Sequence, residues 1–134
     1  MNPPTRRRPL VDSTTAWLDA FCDAVRTGDP LEGRHLFAPD ASGFGTVASV
    51  YRDVNELVEE QWSDVWPRTT EFTVDTVVGR WPFDGGEVVA LMWHSMDRDS
   101  HRARRGRATI LLSWIDGQLV AVHSHFSMLP GTAS

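Results

Sequence analysis

The amino-acid sequence predicts an α+β fold in which three N-terminal helices pack on one face of an antiparallel sheet. Up to residue 66, apolar residues recur at the three- and four-residue spacing of amphipathic helices. From residue 70 onward the period changes to two, in long runs rich in valine, threonine and aromatic residues. Short turn sequences separate these runs, and strands joined by short turns usually pair as neighbours.

The length and composition fit one ordinary globular domain. The 134 residues are 41% hydrophobic and 23% charged, which excludes a largely disordered chain or a disulfide-dense scaffold. The net charge of −5 argues against nucleic acid as a partner, and no apolar run approaches the roughly 18 residues of a membrane span. The lone cysteine, Cys22, cannot form an internal disulfide, so we expect a cytoplasmic protein. We expect a single domain over residues 12–130, between a flexible arm at 1–11 and a flexible end at 131–134.

The first two helices carry start and stop signals. Helix 1 is predicted from Ser13 to Thr27, with Ser13 or Asp12 as its cap and Gly28 at its end. Its apolar stripe comprises Trp17, Leu18, Phe21, Cys22, Ala24 and Val25. A short second helix begins at Asp29-Pro30-Leu31-Glu32, which combines an N-cap acid with proline at the first helical position. It should end before Pro39, because the residue before a proline avoids the helical region.

A third helix follows a predicted turn at 40–43 and a short strand at 44–51. Asp53 and Glu56 have the capping-box spacing, and Pro67 ends the helix. Between them a regular apolar stripe indicates one buried face: Val54, Leu57, Val58, Gln61, Trp62, Val65 and Trp66. Four long strands complete the chain over residues 70–81, 87–97, 102–115 and 118–128.

Both faces of these strands are substantially apolar, so the sequence leaves open which face the helices cover. The last strand alternates between two sets of residues: Leu119, Ala121, His123, His125 and Ser127, opposite Val120, Val122, Ser124 and Phe126. A sheet with one solvated face would alternate apolar and polar residues cleanly. We therefore expect a second copy of the chain on the other face, which gives a homodimer through the sheet face.

His123 and His125 are the candidate catalytic residues. Two positions apart on one strand, their side chains project side by side, about 6.6 Å apart at Cα. The ordinary pKa of imidazole lies near neutral pH, which suits a general acid–base. A zinc site would need a third protein ligand, and no cysteine pair is available, so no metal is expected. The alternative is that both are hydrogen-bonded histidines that line a cavity or the interior.

Arg107 is a candidate ligand-binding residue. It shares a strand face with Thr109 and Ser113, where it could bind a carboxylate bidentately. The alternative is an arginine at the strand end that reaches water. The nearby basic residues predict a solvated hairpin tip: His101, Arg102, Arg104 and Arg105.

Four segments, in order, resemble a known family. They are the helix from Trp17 that runs into RTGDP, LFAPDASGFGT at 36–46, GRATILLSW at 106–114, and VHSHFSMLP at 122–130. Over residues 12–130 the chain resembles the SnoaL-like (polyketide-cyclase-like) group of the nuclear-transport-factor-2-like superfamily. The last segment is also similar to the association domain of calcium/calmodulin-dependent kinase II. The resemblance implies a cone-shaped, cystatin-like half barrel, in which a curved sheet wraps the long helix and encloses a pocket, often in a dimer.

The resemblance does not extend to the site of the ketosteroid isomerases. That site needs a general-base aspartate with a tyrosine and a neutral aspartic acid, whereas the one tyrosine here, Tyr51, precedes helix 3. We expect a pocket domain that binds a hydrophobic small molecule between three tryptophan walls, Trp62, Trp66 and Trp93, with His123, His125 and Arg107 as its polar groups. If it is an enzyme, we expect isomerase-, cyclase- or dehydratase-type proton transfer without cofactor or metal. The alternative is a non-enzymatic module that dimerises or binds a partner.

Overall fold

The computed structural model describes residues 12–130 and confirms the α+β fold, with three helical segments on one face of an open five-stranded sheet. The two terminal segments predicted to be flexible, 1–11 and 131–134, lie outside the described residues. Within the part of the chain that the structure describes, no helix combines the length and the apolar character needed to cross a membrane.

The first two helices have the predicted ends. Helix α1 spans Ser13–Thr27, its N-cap Asp12 accepts a hydrogen bond from the backbone of Thr15, and Gly28 closes it in the left-handed conformation. Helix α2 is a 3-10 helix over Pro30–Leu36, capped by Asp29. At 7 residues α2 is long for a 3-10 helix, since runs beyond about four residues are uncommon.

The third helical segment, α3, is continuous but changes its winding three times. An α turn at Val54–Glu56 leads into a π segment at Leu57–Trp62, an α turn at Ser63–Val65 and a 3-10 turn at Trp66–Arg68. The carboxylate of Asp53 accepts from the backbone N–H of Glu56, as the capping-box spacing predicts. The predicted apolar stripe is the buried face of α3, although a π segment is wider than the regular helix that the spacing assumes.

The sheet has the order β1-β5-β4-β3-β2. Its strands are β1 Phe37–Phe44, β2 Thr69–Phe83, β3 Gly86–Asp97, β4 Ala103–Ile115 and β5 Gln118–Met128. The last four form the predicted antiparallel meander, whereas β1 pairs in parallel with β5. The long path through α3 and the meander allows this parallel pairing, which a tight turn could not make.

The position predicted for the first strand is wrong. The strand runs over Phe37–Phe44 and takes in the predicted turn at 40–43, whereas Tyr51 joins the sheet only through an isolated bridge to Gly43. A register irregularity between Phe37 and Ser42 accommodates Pro39 and Asp40 at this sheet edge. The turn-forming sequence therefore becomes a bulged edge strand, because its buried residues Phe37, Ala38 and Ala41 add to the core.

Irregular pairing curves the sheet around the helices. Strand β2 shows three register shifts against β3, and each places one extra residue in β2. Extra residues on one edge bend that strand and increase the local twist. The inner face, covered by the helices, carries the alternating buried residues Ala108, Ile110 and Leu112 of β4, while Arg107 and Thr109 face outward.

Candidate functional site

A cavity of about 170 Å³ lies between α1, α3 and the inner face of the sheet. Its walls are mainly aromatic and aliphatic, and its polar groups come from α3, the loop after β1 and one end of the sheet. The lining residues include Phe21, Phe37, Gln61, Trp62, Val65, Trp66, Arg68, Thr69, Phe72, Trp93, Ser95, Arg104, Ser124, Phe126 and Met128.

Phe21 of α1 is the centre of an aromatic cluster around this cavity. Its ring centroid lies 6.0–6.2 Å from those of Trp62 and Trp66, and 5.8 Å from those of Phe72 and Phe126. Trp62 and Trp66 stack on each other with centroids 4.3 Å apart. The helical spacing of four residues produces this stacking, since it places both indoles on one face of α3. The cluster gives the cavity a wide, flat apolar surface.

Two glycines make room for the tryptophan rings. A Cβ atom at Gly33 of α2 would lie 2.4 Å from Cη2 of Trp66. At Gly106 of β4 it would lie 2.2 Å from Cζ2 of Trp93, and 2.3 Å from the backbone oxygen of Ser127. Any side chain at either position would displace a cavity wall, so these glycines fix where the rings lie.

The π segment of α3 brings Gln61 to the cavity edge. Its Oε1 accepts hydrogen bonds of 2.8 Å from the backbone N–H groups of Val47 and Ala48, and its Nε2 donates to the hydroxyl of Thr46. One buried amide therefore holds the loop that follows β1 against the helix. Because Thr46 and Val47 also line the cavity, Gln61 positions part of its wall.

The polar end of the cavity is built around Arg104. This residue is 8% exposed, and its side chain donates to the hydroxyl of Thr69 at 3.3 Å and to the carboxylate of Asp97. The backbone N–H and hydroxyl of Ser100 donate to Asp97 and, with Arg104, hold the pKa of that carboxyl below its usual range. The charge of Arg104 is thus balanced by an ionised partner.

The second arginine at the cavity is also paired. Arg68 lies 3.1 Å from a carboxylate oxygen of Asp64 and 3.9 Å from one of Asp97. The positive charges of two arginines and the negative charges of two aspartates therefore balance at this end of the cavity. Little net charge remains for a bound molecule to neutralise.

One polar atom at the cavity wall has no partner. The indole of Trp93 is 6% exposed, and within residues 12–130 its Nε1–H finds no hydrogen-bond acceptor. In contrast, the buried hydroxyls of Tyr51 and Ser124 bond to each other at 2.6 Å, and the indole of Trp17 donates to the carbonyl of Leu36. An unpaired buried donor is uncommon in native structures and requires an explanation.

A family model described as a SnoaL-like domain matches residues 15–130 of the sequence. The chain belongs to the SnoaL-like family. No curated protein sequence matches it.

Solved structures of low sequence identity share the fold of this SnoaL-like domain. A protein from Xanthomonas campestris, provisionally assigned as a calcium/calmodulin-dependent protein kinase II association domain, matches with a TM-score of 0.81 at 19% identity, over 98% of this chain and 95% of its own. A nuclear-transport-factor-2-like superfamily protein from Salmonella enterica matches with a TM-score of 0.73 at 19% identity, over 90% and 91%. A Caulobacter vibrioides protein with a cystatin-like fold matches with a TM-score of 0.74 at 18% identity, over 90% and 89%. The predicted SnoaL-like family and cystatin-like fold are confirmed.

The structure of the SnoaL-like domain separates the predicted site residues into two groups. Trp62, Trp66 and Trp93 line the cavity. His123, His125 and Arg107 do not: the register pairs them with Leu111, Thr109 and Ser127, all on the outer face. The tryptophans and the imidazoles therefore do not line one common cavity, because the sheet lies between the two groups.

On the outer face the histidines pack against an aromatic ring. The centroid of Phe44 lies 5.9 Å from the ring of His123 and 5.2 Å from that of His125. Farther across this face, Nδ1 of His94 lies 2.6 Å from a carboxylate oxygen of Asp75. Within residues 12–130 no group of three or more histidine, cysteine, aspartate or glutamate residues is placed to hold a metal ion.

Arg104 lies at the cavity, whereas the basic residues around it predict a solvated hairpin tip. The pattern of β4 contains the signal: Arg104 has the same parity as Gly106, Ala108, Ile110 and Leu112, which are small or apolar. An arginine that continues a buried face needs a buried partner, and Asp97 lies at the end of the adjacent strand.

Proposed function

We propose that this SnoaL-like domain binds a small, largely apolar molecule in the aromatic cavity. The observation that carries the proposal is the cavity itself, about 170 Å³ of space walled by Phe21, Trp62, Trp66 and Trp93. An apolar cavity of about 150 Å³ is large enough to hold benzene. The size and the flat walls therefore favour a molecule with one aromatic ring and a short substituent.

The proposal is for binding and not for proton transfer by the predicted histidines. A general acid or base must come within about 3 Å of the proton that it moves, and His123 and His125 lie on the opposite face of the sheet. Among the described residues that line the cavity, the ionisable side chains are Arg68 and Arg104. Arginine stays protonated at any physiological pH, so it can orient a ligand but cannot act as a base.

Ethylbenzene is a suitable probe for this cavity. We expect it to bind with a dissociation constant of roughly 1 mM or below, as measured by isothermal titration calorimetry and by quenching of tryptophan fluorescence. Val65→Phe places a larger side chain in the cavity wall and should weaken binding at least about tenfold. The matched control is Val50→Phe at a partly exposed position outside the cavity, which should leave binding unchanged.

Two results would reject the binding proposal. One is the absence of ethylbenzene binding to a folded wild-type domain. The other is binding that Val65→Phe leaves intact but that His123→Ala or His125→Ala abolishes, since that outcome would place the ligand on the outer face.

A second proposal concerns the outer sheet face, which we infer is a surface for self-association. Three exposed apolar side chains lie together on this face of β2, namely Val78, Trp81 and Phe83, and exposed Phe44 lies on the same face at the opposite edge of the sheet. The ring of Trp81 lies over Gly79, where a Cβ would come within 2.5 Å of it, so the indole lies flat against the strand. Large exposed apolar patches on a small domain mark interaction sites, and a twofold axis would bury the same patch on both copies.

Sedimentation velocity tests the outer face directly. We expect the wild-type domain to sediment as a dimer and Trp81→Glu as a monomer. Leu31→Glu is the matched control, because Leu31 of α2 is 65% exposed, against 55% for Trp81, but lies on the helical side of the domain. A wild-type monomer at high concentration, or a Trp81→Glu dimer, would reject this surface.

A further inference from the structure

The outer face of the sheet carries a groove of about 350 Å³, on the side away from the aromatic cavity. We propose that this outer groove is a second binding site, for a small carboxylate with an apolar body, whose charge is bound by Arg107. The inference concerns the opposite face of the sheet, so it does not depend on whether the aromatic cavity binds a ligand.

One half of the outer groove is a block of polar side chains on β4 and β5. Arg107 pairs with Ser127 across the two strands, and Thr109 pairs with His125. All four residues line the groove. Residues opposite each other on neighbouring strands have Cβ atoms about 5 Å apart. A guanidinium binds a carboxylate through two parallel hydrogen bonds, and a neighbouring hydroxyl can donate another.

The charge of Arg107 has no carboxylate partner within residues 12–130. Several other arginines do lie against a carboxylate: Arg26, Arg52, Arg68, Arg80 and Arg104. Strands β4 and β5 contain no aspartate or glutamate, and Asp75, an acid farther across the outer face, is already paired with His94. In a protein of net charge −5, the strands around Arg107 therefore form a locally positive region that attracts an anion.

The other half of the outer groove is apolar. On β3, Met92 lies opposite Arg107 and Ala90 lies opposite Thr109, and Val78 of β2 lines the far side. Neighbouring strands are about 4.8 Å apart, so this apolar surface extends about 10 Å from β4 to β2. A carboxylate held by Arg107 can lay its apolar body on that surface. An inorganic anion would leave the surface uncovered, so the groove favours an amphiphilic carboxylate.

Octanoate, 1-octanol and octylammonium test this inference, since they share one alkyl chain and differ in charge. By isothermal titration calorimetry at low salt, octanoate should bind about tenfold more tightly than 1-octanol, and octylammonium should bind most weakly. About 0.5 M NaCl should weaken the binding of octanoate and not that of 1-octanol. In ¹H–¹⁵N spectra, octanoate should shift the backbone resonances of residues 107–109 and 125–127.

The variants Arg107→Gln and Arg105→Gln form a matched pair. Both remove one exposed positive charge from β4, but only Arg107 lines the groove. Arg107→Gln should weaken octanoate about tenfold and leave 1-octanol unchanged, whereas Arg105→Gln should weaken octanoate by less than about twofold. Both side chains are exposed, so neither replacement should unfold the domain. Thr109→Val, which removes one donor at nearly constant shape, should weaken octanoate and not 1-octanol.

Two further variants separate the outer groove from the other proposed surfaces. Val65→Phe fills the aromatic cavity on the inner face and should leave the affinity for octanoate unchanged. The groove shares Val78 with the self-association surface, so octanoate is also titrated into Trp81→Glu, in which that surface is broken.

Three results would overturn the outer groove as a carboxylate site. They are the absence of octanoate binding in both the wild type and Trp81→Glu, equal losses of affinity in Arg105→Gln and Arg107→Gln, and loss of octanoate binding in Val65→Phe. The last result would assign octanoate to the inner face. The ethylbenzene and sedimentation experiments test the earlier proposals separately, because neither depends on Arg107.

Discussion

The hydrogen bond between Tyr51 and Ser124 fastens the segment after β1 to strand β5, and its removal has a calculable cost. Tyr51 is 0% exposed and Ser124 is 2% exposed, and their hydroxyls are 2.6 Å apart. Tyr51→Phe leaves the serine hydroxyl without this partner, and Ser124→Ala leaves the phenol without its own. Each change should lower the free energy of unfolding by about 1–3 kcal/mol, measured by urea denaturation.

The double variant is the decisive measurement, because it removes both hydroxyls together. Tyr51→Phe with Ser124→Ala should cost about 1–2 kcal/mol less than the sum of the single changes. Ser127→Ala is the control, a serine of the same strand on the outer face, with an expected effect within about 0.5 kcal/mol. Strictly additive costs would show that the two hydroxyls do not interact and would refute the attachment of this segment to β5.

Three further predictions concern the same framework. Gly43→Ala should prevent folding at 37 °C, as seen by circular dichroism, because its Cβ would lie 1.9 Å from the backbone oxygen of Ser124. Burial raises the pKa of Tyr51 above its usual 10, so the phenolate absorbance of this single tyrosine should appear only above that pH, where stability falls. Hydrogen bonds from the backbone of Thr15 and from Arg80 lower the pKa of Asp12 from 3.8 to about 2, and Arg80 also lowers that of Glu87. The stabilisation by Arg80 should therefore be complete above pH 5 and disappear towards pH 2, so the stability difference between wild type and Arg80→Gln should shrink over that range in urea denaturation.

The elements with strong local signals are the ones that the sequence predicts accurately. Helix α1 has a capping residue, a regular stripe and a C-terminal glycine, and its bounds are the predicted ones. The β4–β5 hairpin follows from Asp116-Gly117, both of which adopt positive φ. Strand β1 was misplaced because its signal is not local: Pro39 and Asp40 are typical of turns, and only pairing with β5 keeps the segment extended.

The same difference between local and non-local signals explains why the sequence indicates only part of the cavity wall. The tryptophans of α3 lie on the stripe that also defines the helix, so their burial follows from periodicity. Arg104 and the unpaired N–H of Trp93 depend on which face of the sheet is covered, and two apolar faces leave that question open. A prediction from residue parity also assumes that the side chains of a strand alternate between the two sheet faces without interruption. In β5 this alternation is interrupted.

The interruption is Val122, and it determines where the histidines lie. Leu111 pairs with His123 and Leu112 with Ala121, so Val122 is an extra residue, a β-bulge, between them. Uninterrupted alternation would give Ala121 and His123 the same face. With the bulge, Ala121 is fully buried against the core while His123 faces outward.

Deletions in β5 test this role of Val122. Removal of Val122 leaves Ala121 and His123 opposite Leu112 and Leu111 in a regular ladder, so the domain should fold with a loss of about 1–3 kcal/mol from packing and curvature. Removal of Ser124 would instead place His123 opposite Ile110 on the buried face, and it should abolish the cooperative urea transition, because an imidazole would enter the apolar core. Equal losses in the two deletions would mean that Val122 is an ordinary member of the ladder, and the outward position of the histidines would then need another cause.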